Sequence, residues 1–355
     1  MKKNQSNLTA AVGPNLAQRV YSVSRVWVIL VLALVFPFLG ANNYLLHMAN
    51  VSMMFAILTI SLNVLSGFTG LMSVGHIAFF GIGAYTTAIL TTTYGMPIWL
   101  GFIAAGVVSA LFSLLLGLPT MRLKGMYFSV ATLAFGEIIY QIIKNWESVT
   151  KGTKGITKIP EITIFGFSFK SYDRFYYLML LGLILVIVLT YNLKNSRSGR
   201  AMLAIRANDI AAEAMGVNVV TYKLVAFMVS AFFAGIAGAF YAHEMRYISP
   251  ETFASVESST LLAMMVVGGI GSIPGAILGG TVLTILPEVL RFIGDFRLVL
   301  YGAAVVAIII FAPKGIGGLI DYLDELFSGK RHLHTKQLAK EAESNQDGSG
   351  EEGQA

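Results

Sequence analysis

Polar residues in this chain gather in short clusters, and apolar residues form long runs between them. The apolar runs cover residues 26–40, 44–66, 77–94, 97–121, 126–144, 175–193, 223–243, 258–272, 275–293 and 296–312. Most approach the roughly 20 residues that a helix needs to cross a bilayer core of about 30 Å. A lipid solvent leaves the backbone few other ways to satisfy its amides and carbonyls. The pattern therefore predicts an all-α, polytopic transmembrane helix bundle of about 10 spans. Run 258–272 is short for a crossing and reads either as a span or as half of a re-entrant pair with 275–293.

Composition agrees: 55% of the 355 residues are hydrophobic and 12% are charged, against about 25% charged in soluble domains. There is no cysteine, which excludes a disulfide, a thiolate metal site and a cysteine nucleophile. The net charge of +6 fits Lys and Arg gathered on the cytoplasmic side, and no nucleic-acid partner is expected. Residues 1–25 form a polar arm with Lys2, Lys3, Arg19 and Arg25. This arm is long for a signal peptide and no small-residue cleavage site ends the apolar run Val26–Gly40, so a retained first span is expected. The permease domain then covers 26–320, and a polar tail covers 321–355. That tail has too little apolar area to fold alone, so a disordered cytoplasmic tail is expected.

Lys and Arg set the expected orientation. Arg122 and Lys124, then Lys194, Arg197, Arg200 and Arg206, then Lys314, Lys330, Arg331, Lys336 and Lys340 join the N-terminal arm on one side. Both termini are expected in the cytoplasm. Loop 145–174 falls outside, yet it holds Lys151, Lys154, Lys158, Lys170 and Arg174, only partly offset by Glu147, Glu161 and Asp173. Within it Ile162–Phe169 alternates like a strand, which predicts a small folded external cap containing a hairpin.

Two glycine-rich stretches break the apolar runs, Ser66–His76 and Gly268–Gly275. Gly70, Gly75, His76, Gly269 and Gly271 are candidate pathway residues there, because irregular backbone at membrane depth is tolerated where it is buried in protein or lines a wet cavity. The other reading is a pair of tight turns at the membrane surface. A lone histidine such as His76 is more often a hydrogen-bonded structural residue than a ligand. Glu137 lies inside the run 126–144, where a carboxylate is costly without water or a partner. Glu137 is therefore a further candidate pathway or gating residue, expected to face the bundle; the other readings are a structural hydrogen bond to a neighbouring helix, or an end position if the span is shifted. Glu288 and Arg291 read as a surface pair. Ala231/Gly235, Ala234/Gly238, Gly271/Gly275 and Gly275/Gly279, with Gly81, Gly83 and Ala84, read as close helix packing.

Loop 194–222 is the informative polar segment. Asp209 is expected to cap a helix Ile210–Met215, and Gly216 to end it in the left-handed conformation. A basic stretch, Ser196–Arg206, precedes it. No phosphate loop, His-Glu-x-x-His or Gly-x-Ser-x-Gly is present, so no catalytic or metal site is assigned.

Four blocks carry a resemblance. They are Gly67–Tyr85; Met121–Tyr127 with Thr132–Ile139; Ser198–Arg206 with Ile210–Gly216; and Gly268–Gly275 with Pro313–Gly315. Together the chain resembles the LivM-type permeases of branched-chain amino-acid ABC importers, over most of residues 50–320. The resemblance implies a multi-pass protein of a bacterial or archaeal plasma membrane, set in lipid, that forms half of a translocation path. It implies a second homologous permease, two cytoplasmic ABC ATPases and an extracytoplasmic substrate-binding protein as partners. ATP and Mg would be used by those ATPases, with no cofactor in this chain. The ATPase-coupling loop would use Arg200, Arg206, Asp209, Glu213, Ala214 and Gly216. Of these, Glu213, Ala214 and Gly216 look like a shortened Glu-Ala-Ala…Gly coupling motif, with Gly216 closer to Glu213 than is usual. The expected cargo is leucine, isoleucine and valine. The alternatives are a permease for urea or amides, or a stand-alone secondary transporter or channel; the latter would need coupling-ion ligands that this chain scarcely provides.

Overall fold

A computed structural model describes residues 33–39 and 42–318, apart from 122, 124, 165, 166, 170, 313 and 314. The expected arm 1–25 and tail 321–355 lie outside the described residues. Of the first apolar run, the turn Phe36–Leu39 and the residues leading into it are described. From Asn42 onward the described residues pack as one unit.

Each of the other nine runs carries a helix. These are α1 (Asn43–Thr69), α2 (Ile77–Thr92), α3 (Ile98–Thr120), α4 (Met126–Asn145), α5 (Tyr172–Asn195), α8 (Val219–Met245), α9 (Ser255–Gly268), α10 (Ile273–Val289) and α11 (Arg297–Phe311). Two further helices, α6 (Arg197–Ala207) and α7 (Asp209–Ala214), fill the loop between α5 and α8. The count of about ten spans is not confirmed. Among the described residues six segments are long and apolar enough to cross a membrane: α1, α3, α4, α5, α8 and Ile273–Gly294, while α2, α9 and α11 are shorter.

For α2 and α9 the physical reason is that they start inside the bundle. After α1 ends, residues 70–76 turn back along α4. The Val74 amide donates to Thr132 Oγ1 at 3.0 Å, and a β-carbon on Gly75 would lie 1.8 Å from the Thr132 carbonyl oxygen. Thr132 and Gly136 stand roughly 9 and 15 Å along α4 from Met126 at 1.5 Å per residue. Helix α2 thus begins at depth, where the Ile77 amide donates to Ser258 Oγ on α9 at 3.3 Å. Helix α9 is entered from the other end. The turn Pro250–Phe253 carries Phe253 in against Phe80 and Tyr85, with ring centroids 5.4 and 5.7 Å apart.

Helix α1 is the centre, with 89% of its apolar window buried, and α5, α8, α9 and α10 pack around it. In lipid, close packing and interhelical hydrogen bonds hold helices together. Ser230 Oγ on α8 donates to the Ser61 carbonyl at 2.6 Å, and Ser109 Oγ on α3 to the Phe79 carbonyl at 2.9 Å. The tightest crossings use the small residues that the sequence singles out. A β-carbon on Gly83 would lie 2.3 Å from the Gly235 carbonyl oxygen, and one on Gly235 would lie 2.4 Å from that of Ala105.

The two ends of the bundle differ. One end gathers α6 and α7 with the C-termini of α1, α3 and α5. At the other end, residues 147–169 form a cap. It contains a helical turn Glu147–Thr150, a tight turn Gly152–Lys154 and strand β1 (Ile156–Thr157). The expected hairpin follows as β2 (Thr163–Ile164) and β3 (Phe167–Ser168), with Thr163 opposite Ser168. Strand β1 pairs antiparallel with β4 (Tyr247–Ile248) beyond α8. His243 pins the cap to the bundle. Its Nδ1 donates to the Pro160 carbonyl at 2.8 Å, its Nε2 lies 3.2 Å from Thr87 Oγ1, and its ring stacks on Phe102.

Gly83→Leu is expected to force α2 and α8 apart and to lower stability by at least about 1–3 kcal/mol, the ordinary cost of overpacking. Gly302→Ala, where a β-carbon meets nothing within 4 Å, is the matched control. Thermal unfolding in detergent checks this. Equal melting of Gly83→Leu and the parent would contradict the close crossing.

Candidate functional site

The loop 194–222 folds as a helix pair. Ser196 caps α6, its Oγ accepting from the Gly199 amide at 3.0 Å. The basic stretch read from the sequence is therefore itself a helix. Asn208 caps α7, accepting from the Ala211 amide at 3.1 Å. This corrects the assignment of the cap to Asp209, which lies in the first turn with its carboxylate 3.8 Å from Lys223 Nζ. Gly216 follows α7 with φ +84°. Its amide donates to the Glu213 carbonyl at 2.9 Å, and that of Val217 to the Ala212 carbonyl at 3.0 Å. Arg200 closes the end of α5 by donating to the Asn195 carbonyl at 2.8 Å. Glu213 and Ala214 are exposed, as are the apolar side chains of Ile210 and Met215, at 70% and 84%.

Arg206, at the end of α6, brings the two glycine breaks together. Its guanidinium donates to the Gly67 carbonyl near the end of α1. It also donates to the Ile270 carbonyl, in the turn between α9 and α10, at 3.4 Å. Both helices present their C-terminal, partially negative ends here, where a cation is favoured. From the other side Asn63 on α1 closes the junction. Its Oδ1 accepts from the Gly271 amide at 2.7 Å, and its Nδ2 donates to the Ser272 carbonyl at 3.1 Å. Gly269 and Gly271 have φ +107° and +90°, and Gly70 has φ +77°. A β-carbon on Gly271 would lie 2.2 Å from Arg206 Nη1. Three sequence candidates (Gly70, Gly269 and Gly271) and Arg206 are thus one cluster.

Gly75 and His76 sit apart, deeper in the bundle. His76 is fully buried, with Nε2 2.9 Å from Ser61 Oγ. The Ser61 hydroxyl donates to the Leu58 carbonyl at 2.6 Å, so the imidazole donates to Ser61 from Nε2. Its Nδ1 has no hydrogen-bond partner among the described residues. His76 thus makes a buried hydrogen bond to α1, in the way a structural histidine does.

Glu137 differs from the expectation of a side chain facing its own bundle. Helix α4 turns Phe128, Thr132, Gly136, Ile139 and Ile143 inward, and Glu137, one residue beyond Gly136, is exposed. It does bond a neighbouring helix, since Ser255 Oγ on α9 donates to its Oε2 at 2.8 Å. Gln141 Nε2 donates to its Oε1 at 2.9 Å. Glu137, Gln141 and Asn145 form a polar stripe beside Ala134, Ile138 and Ile142, lining an open groove of about 550 Å³. Among the described residues no group of three or more His, Asp or Glu is placed to hold a metal ion.

Sequence reasoning missed Asn63 and the stripe beyond Glu137. An amide inside run 44–66, and polar residues spaced by four along run 126–144, are the signals that point to them.

A helical membrane bundle with helices broken at depth, joined at one end to a basic helix pair, is the build of a transport permease. The family described as branched-chain amino acid transport system, permease component, matches residues 44–312, and the chain belongs to that family. It is 34% identical to the high-affinity branched-chain amino acid transport system permease protein LivM of Salmonella typhimurium, over 87% of this chain and 77% of that protein. The LivM protein of Escherichia coli matches at the same identity and coverage. The guanosine ABC transporter permease protein NupQ of Bacillus subtilis is 25% identical over 75% of this chain and 89% of its own length. No solved structure matches.

Asn63→Leu is expected to strand the Gly271 amide and the Ser272 carbonyl, at about 1–3 kcal/mol for each buried group left unpaired. Hydrogen exchange at residues 269–272 should accelerate while the middle of α8 stays protected. Unchanged exchange in that turn would remove Asn63 from the junction.

Proposed function

We propose that this chain is the membrane-spanning permease subunit of an ATP-driven importer of branched-chain amino acids: leucine, isoleucine and valine. It forms half of the translocation path beside a second homologous permease. Two cytoplasmic ABC ATPases hydrolyse ATP with Mg, and an extracytoplasmic binding protein delivers the cargo. The observation that carries this reading is the contact of one arginine, Arg206 on the short helix pair, with both helix breaks. The names of the LivM relatives support the cargo. The guanosine permease among the relatives makes a nucleoside the second cargo to test.

In this account the α6–α7 end faces the cytoplasm of a bacterial or archaeal cell. Lys194, Arg197, Arg200, Arg206 and Lys223 cluster there against Asp209 and Glu213, as the positive-inside rule requires. Both termini lie on the same side. The motor subunits seat on α7, where Ile210 and Met215 offer apolar contact area. Their motion passes through α6 to Arg206 and so to α1 and the α9–α10 turn at once. The two conformations must differ in these contacts for ATP to bias them. The Glu137 stripe faces the second permease and the path, because a carboxylate at that depth is costly against lipid. Ile138 and Ile142, in the largely apolar wall of its groove, suit an aliphatic side chain.

In vesicles, leucine uptake is expected only with the second permease, the motor subunits, the binding protein and ATP together. Ion-driven uptake by this chain alone would establish a secondary transporter instead, and uptake of guanosine but not leucine would replace the cargo. Gly216→Val should strain the end of α7 by about 1–2 kcal/mol and reduce uptake without blocking membrane insertion. Normal transport by that variant would remove α7 from coupling. Arg206→Met keeps the aliphatic stem and removes the hydrogen bonds. From about 1.5–3 kcal/mol for a bond to a charged group, uptake per ATP hydrolysed should fall roughly tenfold or more. An unchanged ratio would mean that Arg206 only stabilises the fold.

A further inference from the structure

We infer that the cavity between α5, the end of α8 and the cap binds the ammonium group of a small primary amine, with Glu244 as its counter-ion. That the cavity is reached from outside the cell rests on the orientation proposed above; the binding itself does not.

The cavity holds about 350 Å³. Tyr172 and Phe175 of α5 and Phe169 of the cap give it an aromatic wall, and Glu161, Glu244 and Arg246 are its charged groups. Arg246 Nη1 donates to Glu161 Oε1 at 2.9 Å, so these two charges offset each other. Glu244 is the remainder. Its side chain is 7% exposed, and burying a carboxylate is costly unless its oxygens are paired. Oε1 is paired twice: Asn50 Nδ2 of α1 donates to it at 3.2 Å, and His47 Nδ1 lies 3.1 Å from it. A neutral amide and a neutral imidazole suffice for both bonds. Oε2 takes no hydrogen bond among the described residues. A second acceptor stands beside it. Asn50 is 1% exposed, and its Oδ1 has no partner among the described residues. It belongs to the same carboxamide that holds Glu244.

Two neighbouring buried acceptors, one of them charged, call for a positive group with several N–H bonds. A primary ammonium has three. The end of α8 adds to this preference, because Glu244 and Met245 are its last residues and a helix C-terminus favours a cation. The aromatic rings favour a cation through their negative faces, and they suit an aliphatic body as well. An anion would meet only Arg246, which Glu161 already holds. A metal ion would lack ligands, since no group of three or more His, Asp or Glu among the described residues is placed to hold one. A bound amine would join α1, α5, α8 and the cap, and so should stabilise the fold. Two sources share this chemistry, a free amine and the amino end of the cargo.

The test titrates the full-length chain, in phosphatidylcholine nanodiscs and potassium chloride, with isoamylamine, which is leucine without its carboxylate. Calorimetry reads binding, and thermal unfolding reads stabilisation. Isoamylamine should bind and raise the melting temperature, whereas isovalerate, a similar body ending in a carboxylate, should do neither. Glu244→Gln can keep its bonds to Asn50 and His47 and should raise the dissociation constant roughly tenfold or more. Tyr172→Leu, at a residue 39% exposed, should weaken binding roughly two- to fivefold and covers the case of a misfolded Glu244→Gln. Leucine separates the sources: binding of both compounds includes the cargo's amino end, and binding of isoamylamine alone restricts the site to free amines. The inference is overturned if isoamylamine does not bind, if isovalerate binds equally, or if both variants bind as the parent does. Stabilisation by sodium chloride but not by the amine would make this a metal-ion site and overturn it too. Nanodiscs leave both faces open and need no partner subunit, so failure here leaves the importer reading standing, and failure of that reading leaves this result standing.

Discussion

The two glycine breaks leave backbone amides and carbonyls outside regular helix at the end of α1 and between α9 and α10, in a part-buried junction at the polar end of the bundle. One guanidinium and one carboxamide take them up. Arg206 donates to the Gly67 and Ile270 carbonyls, and Asn63 accepts from the Gly271 amide and donates to the Ser272 carbonyl. The glycines follow from this pairing as well, since a β-carbon on Gly67 would lie 2.3 Å from Asn63 Oδ1 and 2.9 Å from Gly271 Cα.

The same junction gives the bundle a place to move. Arg206 lies on α6, which is joined to the rest of the pair through Asn208, the residue that caps α7. A displacement of α7 therefore reaches two broken helices through one side chain. The inner end of the first break is held differently. The Thr132 hydroxyl, the Ser258 hydroxyl and close contact with α4 fix residues 74–77, and nothing charged takes part. Both breaks are linked to the polar end of the molecule through Arg206, while the inner end of the first is locked in the interior, which suits a lever working against a fixed scaffold.

How much of this the sequence reveals depends on whether a feature is local. Apolar runs are local, and nine of them reappear as helices. The hairpin at Thr163–Ser168 follows from alternation, and α7 matches its expected bounds to within one residue. The number of spans does not follow, because α2 and α9 begin at depth for reasons of tertiary contact with α4 and with Phe80. The cap residue of α7 shifts from Asp209 to Asn208 because two capping residues stand side by side. Glu137 turns outward because Thr132, Gly136 and Ile139 claim the inner face of α4. The pairing of β1 with β4, and the meeting of Arg206 with both breaks, join residues far apart in the chain, and no local pattern announces them.

The central claim is that α6 and the glycine breaks move together when the motor subunits bind ATP. The chain has no cysteine, so a pair of spin labels can be placed at Ala204, exposed on α6, and Met72, exposed within the first break. Pulsed electron resonance then gives the Ala204–Met72 distance, and the distance from Ala204 to a label on the partner permease, with and without ATP. The account predicts that the first distance stays constant while the second changes. A change in the Ala204–Met72 distance, with α6 sliding past a stationary break, would contradict it.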